Sequence, residues 1–308
     1  MDHIAVLSPP PLRPAAASVL APDWLHRSGE ATVLAALPRA VYLHAGEWSE
    51  VLCVLDADAL RLPNSVVVPS VGIGTGRPVS TGLIPGDAVT VSAGRIELPS
   101  ARLEVRRTFR PASIRVGAAV GIDGEAVRAL RAELRPGLPG LADAAADVLA
   151  ALDTPGSTDG LAASTRALVG RGPGLTPSGD DVLAGVLLGL RAAGRIRASA
   201  TLAEAVAAHL RATTSLSASL LRAAGDGWCL PEVRALLDGL RSGGAVPGST
   251  TSGSPVAHSL KLLDRIGHSS GHDLATGLLA VLTADRGRPS TASAPIRSAH
   301  HRERTLHA

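Results

Sequence analysis

Aromatic side chains are almost missing from this chain: three Trp, one Tyr and one Phe make up 2% of 308 residues. Lysine is rarer still, with Lys261 alone, and there are two cysteines, Cys53 and Cys229. Each shortage excludes something. Without aromatics the core must be packed from Leu, Val and Ala, within an apolar fraction of 45%, which suits closely packed helices. No basic stripe with interleaved aromatics is present and the formal net charge is only +3, carried by arginines, so nucleic acid is not an expected partner. Two distant cysteines without a CxxC pair argue against a disulfide scaffold and against a zinc ribbon. No uninterrupted apolar run is long enough to span a bilayer. The first residues show no basic stretch leading into an apolar one, so a secretory signal is not expected, and the cytoplasm is the expected location.

What is present changes texture along the chain. Residues 1–28 are rich in Pro and Ala, with a short helix expected around Ala15–Leu20. From about residue 29 to 112 the pattern is strand-like: Thr32–Leu37, Ala40–His44, Val51–Leu55, Ser65–Val68, Ala88–Val91, Arg95–Leu98 and Leu103–Phe109, separated by turns such as Pro85-Gly86-Asp87. Short strands at even spacing predict a small barrel or sandwich. From 113 to 285 the pattern is helical: Glu125–Leu134, Gly140–Leu152, Leu161–Val169, Asp180–Ala193, Leu202–Leu221, Pro231–Arg241, Pro255–Ile266 and Asp273–Thr283. Ser242–Ser254 reads as a flexible loop and 286–308 as a disordered tail. The expected fold class is α+β, a β-rich barrel or sandwich followed by a mainly α-helical domain.

The densest chemistry lies in Gly172-Pro173-Gly174-Leu175-Thr176-Pro177-Ser178-Gly179-Asp180-Asp181, directly before the helical run Val182, Leu183, Val186, Leu187 and Leu190. A glycine-rich loop feeding a helix start presents backbone N–H groups and the positive end of the helix dipole, which hold anions. A plain N-cap would account for one or two of these residues, not ten in a row. Asp180 and Asp181 cannot point the same way, since adjacent helix positions differ by about 100°. One is expected to face a ligand and the other to support the loop or bind a cation, with Mg2+ or an arginine offsetting their charge.

Two further stretches have the same flavour. Gly267-His268-Ser269-Ser270-Gly271-His272-Asp273 is a second Gly- and Ser-rich helix start ending in a carboxylate, where His268 or His272 is an acid–base candidate, His268 the better, and a simple capped turn is the plainer reading. Arg211-Ala212-Thr213-Thr214-Ser215-Leu216-Ser217 crowds hydroxyls into a helical pattern. It predicts either a helix junction or a hydroxyl-lined wall with Arg211 clamping a carboxylate or phosphate. There is no GxSxG elbow. Val71-Gly72-Ile73-Gly74-Thr75-Gly76 precedes no long helix and reads as a β-turn region rather than a nucleotide loop. His44, His209 and His258 stand alone.

Taken together, residues 172–181 with Leu183 and Gly185, the Thr213-Thr214 and Ser217 cluster, and Gly267–Gly271 followed by Asp273 resemble the AllH-type subunit of oxamate carbamoyltransferase, over about residues 160–285. The resemblance implies exchange of oxamate and carbamoyl phosphate with oxalurate and phosphate, in purine or allantoin catabolism, by a complex containing two other kinds of subunit. His272 and Ser242–Ser254 have no counterpart in the motif. On this reading the N–H groups of Gly172, Gly174, Leu175, Thr176, Ser178 and Gly179 hold phosphate around Pro177, the hydroxyls of Thr176 and Ser178 add donors, and Arg211 or His268 balances charge. Asp180 or Asp181 orients the amine or binds a cation, and Thr213, Thr214, Ser217, Ser269, Ser270, Gly271 and Asp273 complete the small-anion site.

Two alternatives remain open. Thr176–Asp181 is similar to the anion hole of ribokinase-like enzymes, which would make the protein a small-molecule kinase, although those enzymes carry the motif on a parallel sheet. The chain would otherwise be a non-catalytic anion-binding subunit.

Overall fold

The computed structural model describes residues 10–69, 78–241 and 255–285. Its first part is an eight-stranded closed barrel: β1 (Leu12–Ser18), β2 (Gly29–Leu37), β3 (Ala40–His44), β4 (Val51–Asp56), β5 (Ser65–Val68), β6 (Ala88–Ser92), β7 (Arg95–Glu97) and β8 (Arg102–Phe109). The order around the barrel is β1-β5-β4-β3-β2-β6-β7-β8. It closes by parallel pairing of β1 with β8, in a register that runs from Leu12 opposite Arg102 to Ser18 opposite Phe109. Of the two architectures expected from the strand spacing, the barrel is the one formed.

The expected helix at Ala15–Leu20 is not present, because Leu12–Ser18 is the strand that closes the barrel. Alanine favours helix in isolation. Here Pro14 interrupts a helix, and the small Ala15 and Ala17 side chains fit the barrel interior between β5 and β8.

Strand alternation sorts the barrel's two faces. Val41, Leu43, Leu52, Val54, Val66, Ile96 and Leu103 fill its interior. Ala40, Val51, Cys53, Leu55 and Val67 face outward and join the core of the helices. β4 is apolar at five consecutive residues because both of its faces are covered.

The helical part contains α1 (Gly124–Glu133), α2 (Leu141–Asp153), α3 (Thr158–Leu168), α4 (Ser178–Ala192), α5 (Ile196–Ala207), α6 (Ser215–Gly225), α7 (Pro231–Gly239), α8 (Pro255–Asp264) and α9 (Ser270–Asp285). A two-stranded ribbon, β9 (Ala112–Ser113) with β10 (Trp228–Cys229), ties the chain leaving the barrel to the end of α6. The single helix expected over Leu202–Leu221 is broken into α5, a 3-10 turn at Leu210–Ala212, and α6. Thr214 caps α6 by accepting from the Ser217 N–H at 3.1 Å. The hydroxyl cluster is therefore a helix junction. Among the described residues no helix is long and apolar enough to cross a membrane. Ser242–Ser254, Val71–Gly76 and the tail from 286 lie outside the described residues.

Helices α4 and α9 form the centre of this part, and they press backbone to backbone. A Cβ on Gly185 would lie 2.0 Å from the Leu274 carbonyl oxygen, and one on Gly277 would lie 2.0 Å from that of Val182. Only glycine permits such an approach from both sides. The crossing fixes the first turn of α4 beside the first turn of α9.

Candidate functional site

The two glycine-rich stretches, remote in sequence, meet. The Thr176 and Ser270 hydroxyls lie 3.0 Å apart. Thr176, Asp181, Gly267 and Ser270 form the polar end of a cavity of about 180 Å³ at the junction of barrel and helices. The rest of its wall is apolar: Leu188 of α4, Leu216 and Leu220 of α6, Leu274 of α9, Leu230, and from the barrel side Tyr42, Leu60 and Leu62.

The adjacent aspartates divide the work. Asp180 is buried, 1% exposed. Its Oδ1 accepts from the Gly170 N–H at 2.8 Å, and its Oδ2 accepts from the hydroxyls of Ser217, at 2.7 Å, and Thr213. It sews the α3–α4 loop to the start of α6. Burial raises its carboxyl above the ordinary carboxylate range, against the pull of these three donors.

Asp181 faces the cavity instead. Its Oδ2 is shut off from solvent and has no hydrogen-bond partner among the described residues. Burial pushes its carboxyl well above the ordinary range. The Ser270 hydroxyl opposes that rise, and the charges of Asp273 and Asp180 add to it. The shift favours the protonated carboxyl, which offers one O–H donor and one carbonyl acceptor.

The loop itself supports the anion reading at some positions and not at others. The N–H of Gly179 donates to the Arg171 carbonyl at 2.8 Å, and those of Asp180 and Asp181 donate to the Pro177 carbonyl at 2.9 and 3.2 Å. These three are committed within the chain. The N–H groups of Gly172, Gly174, Leu175, Thr176 and Ser178 have no partner among the described residues. Gly172 holds φ at +117°, a conformation that L side chains avoid. Thr214 Oγ1 donates to the Leu175 carbonyl at 2.5 Å and pins the loop's tip.

Other expected residues stand apart from the cavity. Arg211 is exposed, and its guanidinium lies 5.3 Å from the ring centre of Trp48 in the barrel. It is not among the residues around Asp181. His268 and Ser269 are exposed on the α8–α9 turn, where the Ser269 carbonyl accepts from the N–H groups of His272 and Asp273. The Gly271 N–H closes the turn onto the Ile266 carbonyl at 2.9 Å. Asp273 is 1% exposed, and its Oδ2 is also buried without a hydrogen-bond partner among the described residues. It borders a separate cleft on the side of Arg131, Arg135 and Gly137.

The donor set does not suit a resident Mg2+. Both oxygens of Asp180 are taken by three protein donors. Asp181 and Asp273 open to different cavities. Among the described residues no group of three His, Cys, Asp or Glu is arranged to hold a metal ion.

Three features found here have surroundings that the sequence could not place. His272, buried, accepts from the Arg135 N–H at Nδ1 at 3.1 Å. Its Nε2 lies 3.0 Å from the Arg135 Nε–H and 3.1 Å from Asp264 Oδ1, so Arg135 and Asp264 hold the ring between them. No local signal marks a partner 137 residues away. Cys229 borders the cavity as well, but burial pushes its thiol up to about 12, so it is no nucleophile at neutral pH. Tyr42 also borders it. The alternation of β3 shows that Tyr42 points away from the barrel interior, yet not toward what. The motif follows α3 and opens α4, and among the described residues no parallel sheet leads into it, unlike the arrangement of ribokinase-like enzymes.

No curated protein and no solved structure matches the chain. Over residues 168–282, the stretch that carries both glycine-rich loops, the Thr213–Ser217 junction and the α4–α9 crossing, it matches the family model described as oxamate carbamoyltransferase subunit AllH.

Proposed function

We propose that this chain is a subunit of a carbamoyltransferase complex, and that the Thr176–Asp181–Ser270 corner is where it meets the reacting groups. The observation that supports this most directly is the contact between Thr176 and Ser270 beside Asp181, which brings both family motifs to one cavity. In carbamoyl transfer an amide nitrogen attacks the carbonyl carbon of carbamoyl phosphate. The C–N bond forms, the carbon–oxygen bond of the C–O–P bridge breaks, and phosphate leaves carrying the proton that the nitrogen gives up. The unpaired N–H groups between Gly172 and Ser178 suit the phosphate, and since Pro173, Gly174 and Leu175 are exposed its charge would stay partly hydrated there. The hydroxyls of Thr176 and Ser270 suit the carbonyl oxygen as negative charge develops on it. Asp181, neutral, holds the amide by its donor and acceptor together. Asp180, Thr213 and Ser217 keep the loop in shape. The described residues bring no arginine to this corner, so charge balance comes from the loop dipoles and from the other subunits.

The test is co-purification of the partner chains, followed by phosphate release from carbamoyl phosphate with oxamate and other primary amides. Asp181→Ala and Ser270→Ala are each expected to slow release about a hundredfold, the usual scale for losing a group aimed at the reacting centre. Full activity in the double variant, or no amide-dependent release from the assembled complex, refutes the assignment.

A further inference from the structure

The cavity behind Asp181 is not built for a bare dianion. Its walls come from leucines of α4, α6 and α9, with Tyr42 and Leu62 from the barrel side, and among the described residues no arginine or lysine borders it. Asp181 borders this space, and its buried Oδ2 has no hydrogen-bond partner among the described residues. A buried polar atom left so costs stability unless a ligand satisfies it. Its volume of about 180 Å³ exceeds the roughly 150 Å³ that suffices to hold benzene in an apolar cavity.

We propose that the amide taken by this site carries a hydrocarbon substituent: a primary carboxamide whose head pairs with Asp181 and whose apolar body fills the cavity toward Leu188, Leu216 and Leu220. A neutral carboxyl and a primary amide are complementary, since each offers one donor and one acceptor in the same plane. A carboxylate in place of the hydrocarbon, as in oxamate, would be stripped of water against leucines with no cation beside it, which is strongly unfavourable. The inference rests on the reading of this corner as the amide site.

Calorimetry on the full chain tests it with acetamide, propionamide, butyramide and benzamide, set against oxamate and inorganic phosphate. Affinity is expected to rise about fourfold for each added methylene, the scale of burying a CH2 group, and butyramide and benzamide should bind more tightly than oxamate. Ala184→Leu, which fills the cavity from α4, should weaken butyramide at least tenfold. Asp181→Asn, which keeps both donor and acceptor, should hold butyramide within about threefold of the parent and remove its weakening at alkaline pH, whereas Asp181→Leu should abolish binding. Equal affinity along the series, tighter binding of oxamate, or no binding of any amide overturns the proposal, even where the variants fail to fold. Graded amide binding without phosphate release from the assembled complex would sink the carbamoyl-transfer reading alone. Release with oxamate and no preference for apolar amides would sink this inference alone.

Discussion

At the residue scale, the paired aspartates show how one step along a helix separates two roles. Asp180 accepts three hydrogen bonds in a dry interior. Its removal leaves an N–H and two hydroxyls unpaired, so Asp180→Ala is expected to lower unfolding stability by about 3 kcal/mol in urea titration. Asp181 titrates above the ordinary 3.8 in the fold. The folded chain therefore holds more protons than the unfolded one between that value and the raised one. Its contribution is fully present below the ordinary value and is lost as pH rises through the raised value. Asp181→Asn should remove that loss, so its urea midpoint should fall less than the parent's as pH rises, and equal slopes would show Asp181 ionised. The loop was legible because Gly, Pro and Asp cluster there without any structural economy. Which aspartate faced the cavity was not, because the choice is made by Gly170, Thr213 and Ser217 across the fold.

At the scale of elements, the α4–α9 crossing carries the site. Gly185→Ala and Gly277→Ala each place a methyl within 2.0 Å of a carbonyl oxygen, and each is expected to cost more than about 3 kcal/mol, or to prevent folding. Gly239→Ala, at the end of α7 with nothing within 4 Å, is the control. It should be neutral or stabilise by about 0.5 kcal/mol. Thermal melts of the three variants check both expectations. Many elements could be read from pattern, since β2 and β6 alternate, while β4 and β5 are short apolar runs bounded by turns. The two misread segments have one cause: Leu12–Ser18 and the break before Ser215 are decided by partners far along the chain. For Leu12–Ser18 these are the strands on either side, and for the junction they are Leu175 and Asp180.

At the scale of the whole molecule, barrel and helices share a core and one cavity. Asn64 in the barrel donates to Ser219 of α6 at 2.6 Å and to the Val51 carbonyl at 2.7 Å, tying the two parts beside that cavity. A chain lacking residues 1–18 loses β1 and leaves β5 and β8 with open edges. It is expected to aggregate or to lose its cooperative thermal transition, as read by circular dichroism and size exclusion. Strand content of the first part and helix content of the second were legible. The barrel face turned to the helices was not, since Ala40, Val51, Cys53 and Val67 look like any outward-facing row until something covers them.

The parallel seam between the first and last strands also sets an order of assembly. As the nascent chain leaves the ribosome, Ala16 and Ala17 can meet Val67 and Val66 of β5 early, but the closing ladder from Leu12 must wait for Arg102. Until then the strand LRPAAAS, with a single leucine, has little with which to pair wrongly. Its plain composition suits a clasp that fastens last.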